Sequence, residues 1–98
     1  MDLLLGYSYS NDDIMNVKNW LIDWFVKNTN LEQDIIMQNL NENYLEKGWI
    51  DSLKFISLVT DIELKFSITF SNDMFQNKAF TTIDGLRHII DSEVNGKI

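Results

Sequence analysis

The chain has 98 residues, a net charge of −7 and 45% apolar residues, which predicts one domain over residues 1–98 with a modest core. The acidic balance argues against nucleic-acid binding, because such proteins normally present a basic surface. The absence of cysteine excludes disulfides, a thiolate zinc site and a cysteine nucleophile.

Residues 1–10 are expected to form an N-terminal extension that is free to move. They lack the basic region of a secretory signal, and their run of three leucines is too short for its apolar segment. No stretch approaches the roughly 20 apolar residues that a membrane-spanning helix needs. We therefore expect a cytoplasmic protein without a membrane span.

A first helix is predicted over residues 11–28. Ser10 and Asp13 have the spacing of a capping box, and Asn28-Thr29-Asn30 provides a turn. The apolar positions within the helix recur at helical spacing; they are Ile14, Val17, Leu21, Trp24 and Phe25. The aromatic residues at 20, 24 and 25 are therefore predicted to pack in the core.

Residues 29–50 form a long first loop in which the apolar period weakens. A loop of this length in a compact domain is expected to be packed or functional. One helical turn is predicted near residues 32–38, and apolar anchors are expected to hold the loop against the core: Ile35, Ile36, Leu40, Tyr44 and Leu45.

A second helix is predicted from Ser52 to Phe66, with two apolar faces. At 100° per residue, the core face comprises Phe55, Leu58, Val59, Ile62 and Phe66. Nearly opposite lies a second set, Leu53, Ile56, Thr60 and Leu64. This outer face is either a docking surface or a surface that the long loop covers.

The rest of the chain predicts an extended connection at residues 68–70, a short helix after Ser71 that ends near Asn77, and a last helix over residues 82–94. Thr81 and Asp84 are a candidate capping pair for the last helix, and Asn95-Gly96 is its predicted stop. The predicted fold class is all-α, a four-helix bundle with a long first loop and a short third helix.

Intrinsic catalysis has little support. The single histidine, His88, lies four residues after Asp84, a spacing that makes the two surface neighbours on a helix. No nucleophile elbow or phosphate-binding glycine loop is present, and neither EF-hand spacing nor a set of histidine ligands indicates a metal site. We therefore expect a protein that is not an enzyme.

Asp51-Ser52-Leu53 follows Gly48-Trp49-Ile50 and opens the second helix. A hydroxyl at a helix N-terminus lies where free backbone N–H groups and the helix dipole favour a phosphate. The run over residues 48–59, the long loop before it and Phe80-Thr81-Thr82-Ile83 at the last helix resemble the acyl carrier and peptidyl carrier family. This resemblance covers residues 14–94 and implies the acyl-carrier type of four-helix bundle.

The resemblance implies that Ser52 receives 4′-phosphopantetheine from coenzyme A through a phosphopantetheinyl transferase. The chain would then be a monomeric carrier that holds an acyl or aminoacyl group as a thioester and delivers it to loading and transfer enzymes. The residues expected to dock these partners are Asp51, Leu53, Lys54, Ile56, Thr60, Glu63 and Leu64.

Departures from the family pattern favour a specialised pathway. Fatty-acid carriers usually follow the Ser-Leu pair with an acidic residue, whereas this chain has Lys54. Peptidyl carriers more often have histidine before the serine, where this chain has Asp51. Charge pattern governs partner choice, so a dedicated set of enzymes is expected.

Two other classes stay open, an unmodified carrier-like interaction domain and a small enzyme that uses Ser52 or His88 directly. As a bare tripeptide, Asp51-Ser52-Leu53 also fits an ordinary helix cap. Trp49 and Phe55 are either bulky residues at the attachment site or simply core.

Overall fold

The computed structural model describes residues 17–96, and these form a small helical bundle. Its four α-helices are α1 (residues 17–28), α2 (Gln33–Met37), α3 (Ser52–Phe66) and α4 (Ile83–Gly96). Two 3₁₀ helices, Asn72–Gln76 and Lys78–Thr81, connect α3 to α4. The described part of the chain contains no strand, so the all-α prediction is confirmed.

The predicted N-terminal features lie outside the described residues. These are the extension over residues 1–10, the Ser10/Asp13 capping box and the start of the first helix. The predicted end of that helix is confirmed, because α1 runs to residue 28. Thr29 ends it with a side-chain hydrogen bond, 2.6 Å from its Oγ1 to the carbonyl oxygen of Phe25.

The core forms where the apolar faces of α1, α3 and α4 meet. Leu21, Phe25, Leu58, Ile62 and Leu86 are completely buried in it. Trp24 is also buried, and Trp20 packs at the edge against Phe66 with ring centroids 5.6 Å apart. The aromatic residues of α1 therefore pack as predicted. Burying each large apolar side chain contributes about 1.5–3 kcal/mol before the loss of chain entropy.

The long loop packs against the opposite end of the chain. The amide of Tyr44 donates to the carbonyl of Thr81 at 3.0 Å, and the amide of Asp84 donates to the carbonyl of Leu40 at 3.0 Å. The Tyr44 hydroxyl donates to the carbonyl oxygen of Phe80, and its ring is fully buried. The loop is therefore part of the core, as predicted, although Ile35 is 45% exposed and does not anchor it.

The predicted short helix after Ser71 is confirmed, and it forms as the first 3₁₀ helix, Asn72–Gln76. A second 3₁₀ helix, which was not predicted, follows it and extends through Thr81, and the predicted capping pair of Thr81 and Asp84 is wrong. Because Thr81 belongs to that turn, its hydroxyl donates to the carbonyl of Lys78 at 2.6 Å and does not cap α4. Thr82 takes this role, since its Oγ1 accepts from the amide of Gly85 at 2.9 Å.

Gly85 lies in the first turn of α4. This position requires a glycine because the second 3₁₀ helix passes very close to it. A Cβ atom at this position would lie 2.8 Å from both the carbonyl carbon and the Cα of Ala79. The Asp84-Gly85 pair therefore does not form a turn, in agreement with the predicted helix. The glycine brings the 3₁₀ segment and α4 into direct backbone contact.

No helix within residues 17–96 combines the length and the apolar character that crossing a membrane requires.

Candidate functional site

A left-handed glycine leads the chain into α3. Gly48 has φ +74°, a conformation that L-residues with a side chain rarely adopt. The next amide, of Trp49, donates to the carbonyl of Tyr44 at 2.9 Å, and the side chain of Ile50 is buried. These contacts fix the backbone immediately before Asp51.

Asp51 caps α3. Its backbone is extended, and its Oδ1 accepts from the amide of Lys54 at 2.9 Å. Its carbonyl accepts from the amide of Phe55 at 2.9 Å. The helix therefore starts at Ser52, as predicted, and its first residue has a defined position relative to the core.

Ser52 is exposed on the first turn of this 15-residue helix. Within residues 17–96, no group forms a hydrogen bond with its hydroxyl or with the amides of Ser52 and Leu53. An accessible hydroxyl thus lies beside two unpaired backbone donors at the positive end of the helix dipole. This arrangement suits a phosphate ester on Ser52.

The aromatic side chains of Phe55 and Trp49 pack against the core near the start of α3. The Phe55 ring lies 6.3 Å from both the Tyr44 and the Phe75 rings, and the Trp49 ring lies 6.1 Å from that of Phe25. Both side chains are half-buried and pack against the core. They therefore have a packing role.

The outer face of α3, defined as Leu53, Ile56, Thr60 and Leu64, is open to solvent. The exposed fractions are 76% for Leu53, 60% for Ile56 and 75% for Leu64, and Thr60 is also exposed. The long loop packs elsewhere, so it does not cover this face. Three large apolar side chains on one helix face are a common sign of an interaction surface.

Asp61 and Glu63, on the two flanks of the outer face, have structural partners that sequence reasoning missed. Oδ2 of Asp61 accepts from the indole Nε1 of Trp24 at 2.8 Å, which ties α3 to α1. Oε2 of Glu63 accepts from the amide of Phe70 at 2.9 Å. Of the predicted docking residues, Asp51 and Glu63 therefore also hold the fold together.

An open groove of about 470 Å³ lies between α1, α2 and the far end of α3. Trp20, Asp23, Met37 and Lys65 are among its lining residues. Lys65 is thirteen residues after Ser52, or about 20 Å along the helix. The groove is therefore remote from the candidate attachment serine.

His88 lies on the exposed surface of α4. Its side chain is 63% exposed, and its Nε2 lies 3.5 Å from Oδ2 of Asp84. In the described range no hydrogen bond joins His88 to Ser52, so the structure does not pair the histidine with the candidate nucleophile. Within the same range, His, Asp and Glu side chains do not cluster in groups of three or more that could hold a metal ion.

The chain was compared with protein-family models, curated proteins and solved structures, and none of these comparisons found a match.

Proposed function

We propose that the chain is an acyl or aminoacyl carrier protein that bears 4′-phosphopantetheine on Ser52. The observation that carries the proposal is the position of Ser52, an exposed serine without a hydrogen-bond partner in the described range, on the first turn of a capped helix. The resemblance of residues 48–59 to carrier proteins supports the same assignment. Under this proposal the helical bundle is of the acyl-carrier type.

The attachment step uses the Ser52 hydroxyl as the nucleophile. Its Oγ forms a bond to the phosphorus of the pantetheine phosphate in coenzyme A, the pyrophosphate P–O bond breaks, and adenosine 3′,5′-bisphosphate leaves. The transferase, which binds Mg²⁺, accepts the serine proton. The chain therefore needs no general base of its own.

The bound arm would supply a thiol that the cysteine-free chain lacks, and this thiol forms the thioester with the cargo. The protein's own contribution is mechanical and electrostatic. Asp51 holds the helix start, and the outer face of α3 offers partner enzymes a surface beside the arm. The amides of Ser52 and Leu53, which have no hydrogen-bond partner within residues 17–96, stabilise the phosphodiester charge. Partners are a phosphopantetheinyl transferase and acyl- or aminoacyl-loading and transfer enzymes of a specialised pathway.

Co-expression with promiscuous phosphopantetheinyl transferases, followed by intact mass spectrometry, tests the proposal. We expect a mass gain of one phosphopantetheinyl group, which Ser52→Ala abolishes. Ser57→Ala is the matched control, because Ser57 is also exposed on α3 but lies one turn beyond the helix start. The control variant should be modified normally.

The carrier assignment would be contradicted if several transferases were tried and none of them modified the chain. The exposed apolar face of α3 would then favour an unmodified interaction domain. A direct enzyme would be indicated only if the unmodified protein showed a reaction that His88→Ala or Ser52→Ala abolishes.

A further inference from the structure

Asn95-Gly96 is a chemically reactive pair at the end of α4. Asn95 is the only asparagine of the chain that precedes a glycine, and α4 ends at Gly96. Glycine has no side chain, so its backbone nitrogen can approach the side-chain carbonyl carbon of the preceding residue without steric hindrance. Asparagine before glycine is therefore the pair in which this nitrogen most readily attacks the side-chain amide.

The Asn95 side chain is accessible and unrestrained. It is exposed, and no hydrogen bond joins it to another group within residues 17–96. Val94, immediately before it, is half-buried and packs against the core. The core therefore holds α4 as far as Val94, and the reactive pair lies directly beyond that contact.

The last turn of α4 has features that lower its stability. It contains Glu93 and no basic side chain, although the C-terminal end of a helix favours cations and disfavours carboxylates. Glycine, which ends the turn, also has a poor helix propensity. Such helix ends open at little cost in free energy, and opening releases the amide of Gly96 from the helical backbone.

The fold protects the other pair of this kind, Asp84-Gly85, in the first turn of α4. The amide of Gly85 donates to Oγ1 of Thr82 at 2.9 Å, and the amide of Asp84 donates to the carbonyl of Leu40 at 3.0 Å. The Gly85 nitrogen cannot turn toward the Asp84 carboxyl carbon without breaking its own hydrogen bond. The two ends of α4 therefore differ in the reactivity of similar dipeptides.

We propose that Asn95 deamidates spontaneously in the folded chain and thereby adds a carboxylate to the end of α4. The backbone nitrogen of Gly96 forms a bond to Cγ of Asn95, the bond from Cγ to the side-chain nitrogen breaks, and ammonia leaves with the amide proton. Water then opens the succinimide ring at either carbonyl and gives aspartate or isoaspartate. The new charge lies near Glu93 at the negative end of the helix dipole, so the last turn loses further stability.

Peptide mapping of the full chain by mass spectrometry tests the proposal. The native chain and the guanidinium-unfolded chain are incubated in mildly alkaline buffer made with H₂¹⁸O, and ¹⁸O incorporation at both pairs is followed with time. Native Asn95 should react within about tenfold of its rate in the unfolded chain, because the last turn opens at little cost. Native Asp84-Gly85 should isomerise more than about a hundredfold more slowly than in the unfolded chain, because its opening requires the loss of tertiary contacts.

Asn41 is the matched control for the chemistry. Its side chain is also exposed and has no hydrogen-bond partner within residues 17–96, but it precedes Glu42. Asn41 should stay unmodified over the same time, and Gly96→Leu should abolish most of the reaction at Asn95. Equal modification of Asn41, or protection of native Asn95 to the same extent as Asp84-Gly85, would overturn the proposal.

Two variants of Asn95 test the effect of the new charge. Asn95→Asp reproduces the aspartate product and should speed amide hydrogen exchange in the last turn of α4, whereas Asn95→Gln keeps a neutral amide and should leave the exchange rates unchanged. Equal exchange rates in the two variants would overturn the loss of stability assigned to the carboxylate. These measurements use protein that is unmodified at Ser52, so their result is separate from the test of the carrier assignment.

Discussion

The Asp61 carboxylate accepts a hydrogen bond of 2.8 Å from the indole N–H of Trp24 and thereby joins α3 to α1. Trp24 is 5% exposed, so removing its acceptor leaves a buried donor without a partner. We expect Asp61→Ala to lower the free energy of unfolding by about 1–2 kcal/mol, measured by urea denaturation.

Asp23→Ala is the control for this prediction. Asp23 forms an exposed ion pair with Lys27 at 3.0 Å, and such pairs contribute about 0–1 kcal/mol. If both variants lose the same free energy of unfolding, the hydrogen bond to Trp24 stabilises the fold no more than an exposed ion pair does.

The cap of α3 gives a second prediction. Asp51→Ala removes the acceptor of the Lys54 amide and should cost about 1 kcal/mol, whereas Asp51→Asn retains a capping oxygen and should stay within about 0.5 kcal/mol. Chemical denaturation of both variants measures the difference. Equal losses would show that the charge of Asp51, rather than its cap, stabilises the helix.

The bounds of α3 could be predicted because local features define them. Asp51 supplies the cap, the period of Leu58 and Ile62 continues through the helix, and Ser67 ends it with a left-handed backbone at φ 56°. Each of these features acts within a few residues, so the sequence pattern contains them. The exposure of Leu53 and Leu64 also agrees with the predicted separation of the two faces.

Features that depend on distant parts of the chain could not be predicted. The second 3₁₀ helix ends at Thr81, whose carbonyl accepts from the amide of Tyr44 in the long loop. That contact spans 37 residues. Thr81 was predicted to cap α4, but Thr82 is the residue that caps it. The role of Asp61 likewise depends on Trp24, 37 residues away, and no sequence pattern indicates that pair.

Tyr44 gives a prediction for alkaline pH. Burial raises the pKa of its phenol far above the ordinary value of 10.0. Below pH 10 this group is protonated in both states and contributes no pH dependence. Above that pH the unfolded state ionises while the native state retains its proton, so stability falls as the pH rises.

Tyr44→Phe tests this assignment. The variant loses the hydrogen bond to the carbonyl of Phe80 and should be less stable by about 1–2 kcal/mol at pH 7. Its stability should fall less between pH 9 and pH 11 than that of the native chain, measured by urea denaturation at each pH. Parallel losses in the two proteins would show that other groups cause the alkaline dependence.

The last prediction concerns the outer face of α3, where substitutions should weaken partner recognition but leave the stability of the fold almost unchanged. Ile56 and Leu64 are 60% and 75% exposed, so Ile56→Asp and Leu64→Asp should change the free energy of unfolding by no more than about 0.5 kcal/mol. Leu58 is fully buried on the opposite side, and Leu58→Asp should unfold the domain because it places a charge in the core. Circular dichroism and urea denaturation measure these effects.

The exposed-face variants should also slow modification of Ser52 by a phosphopantetheinyl transferase at limiting chain concentration, because the enzyme loses apolar contact area beside the serine. Loss of helicity in Leu64→Asp would instead assign this face to the core, and an unchanged modification rate would remove the transferase from its partners.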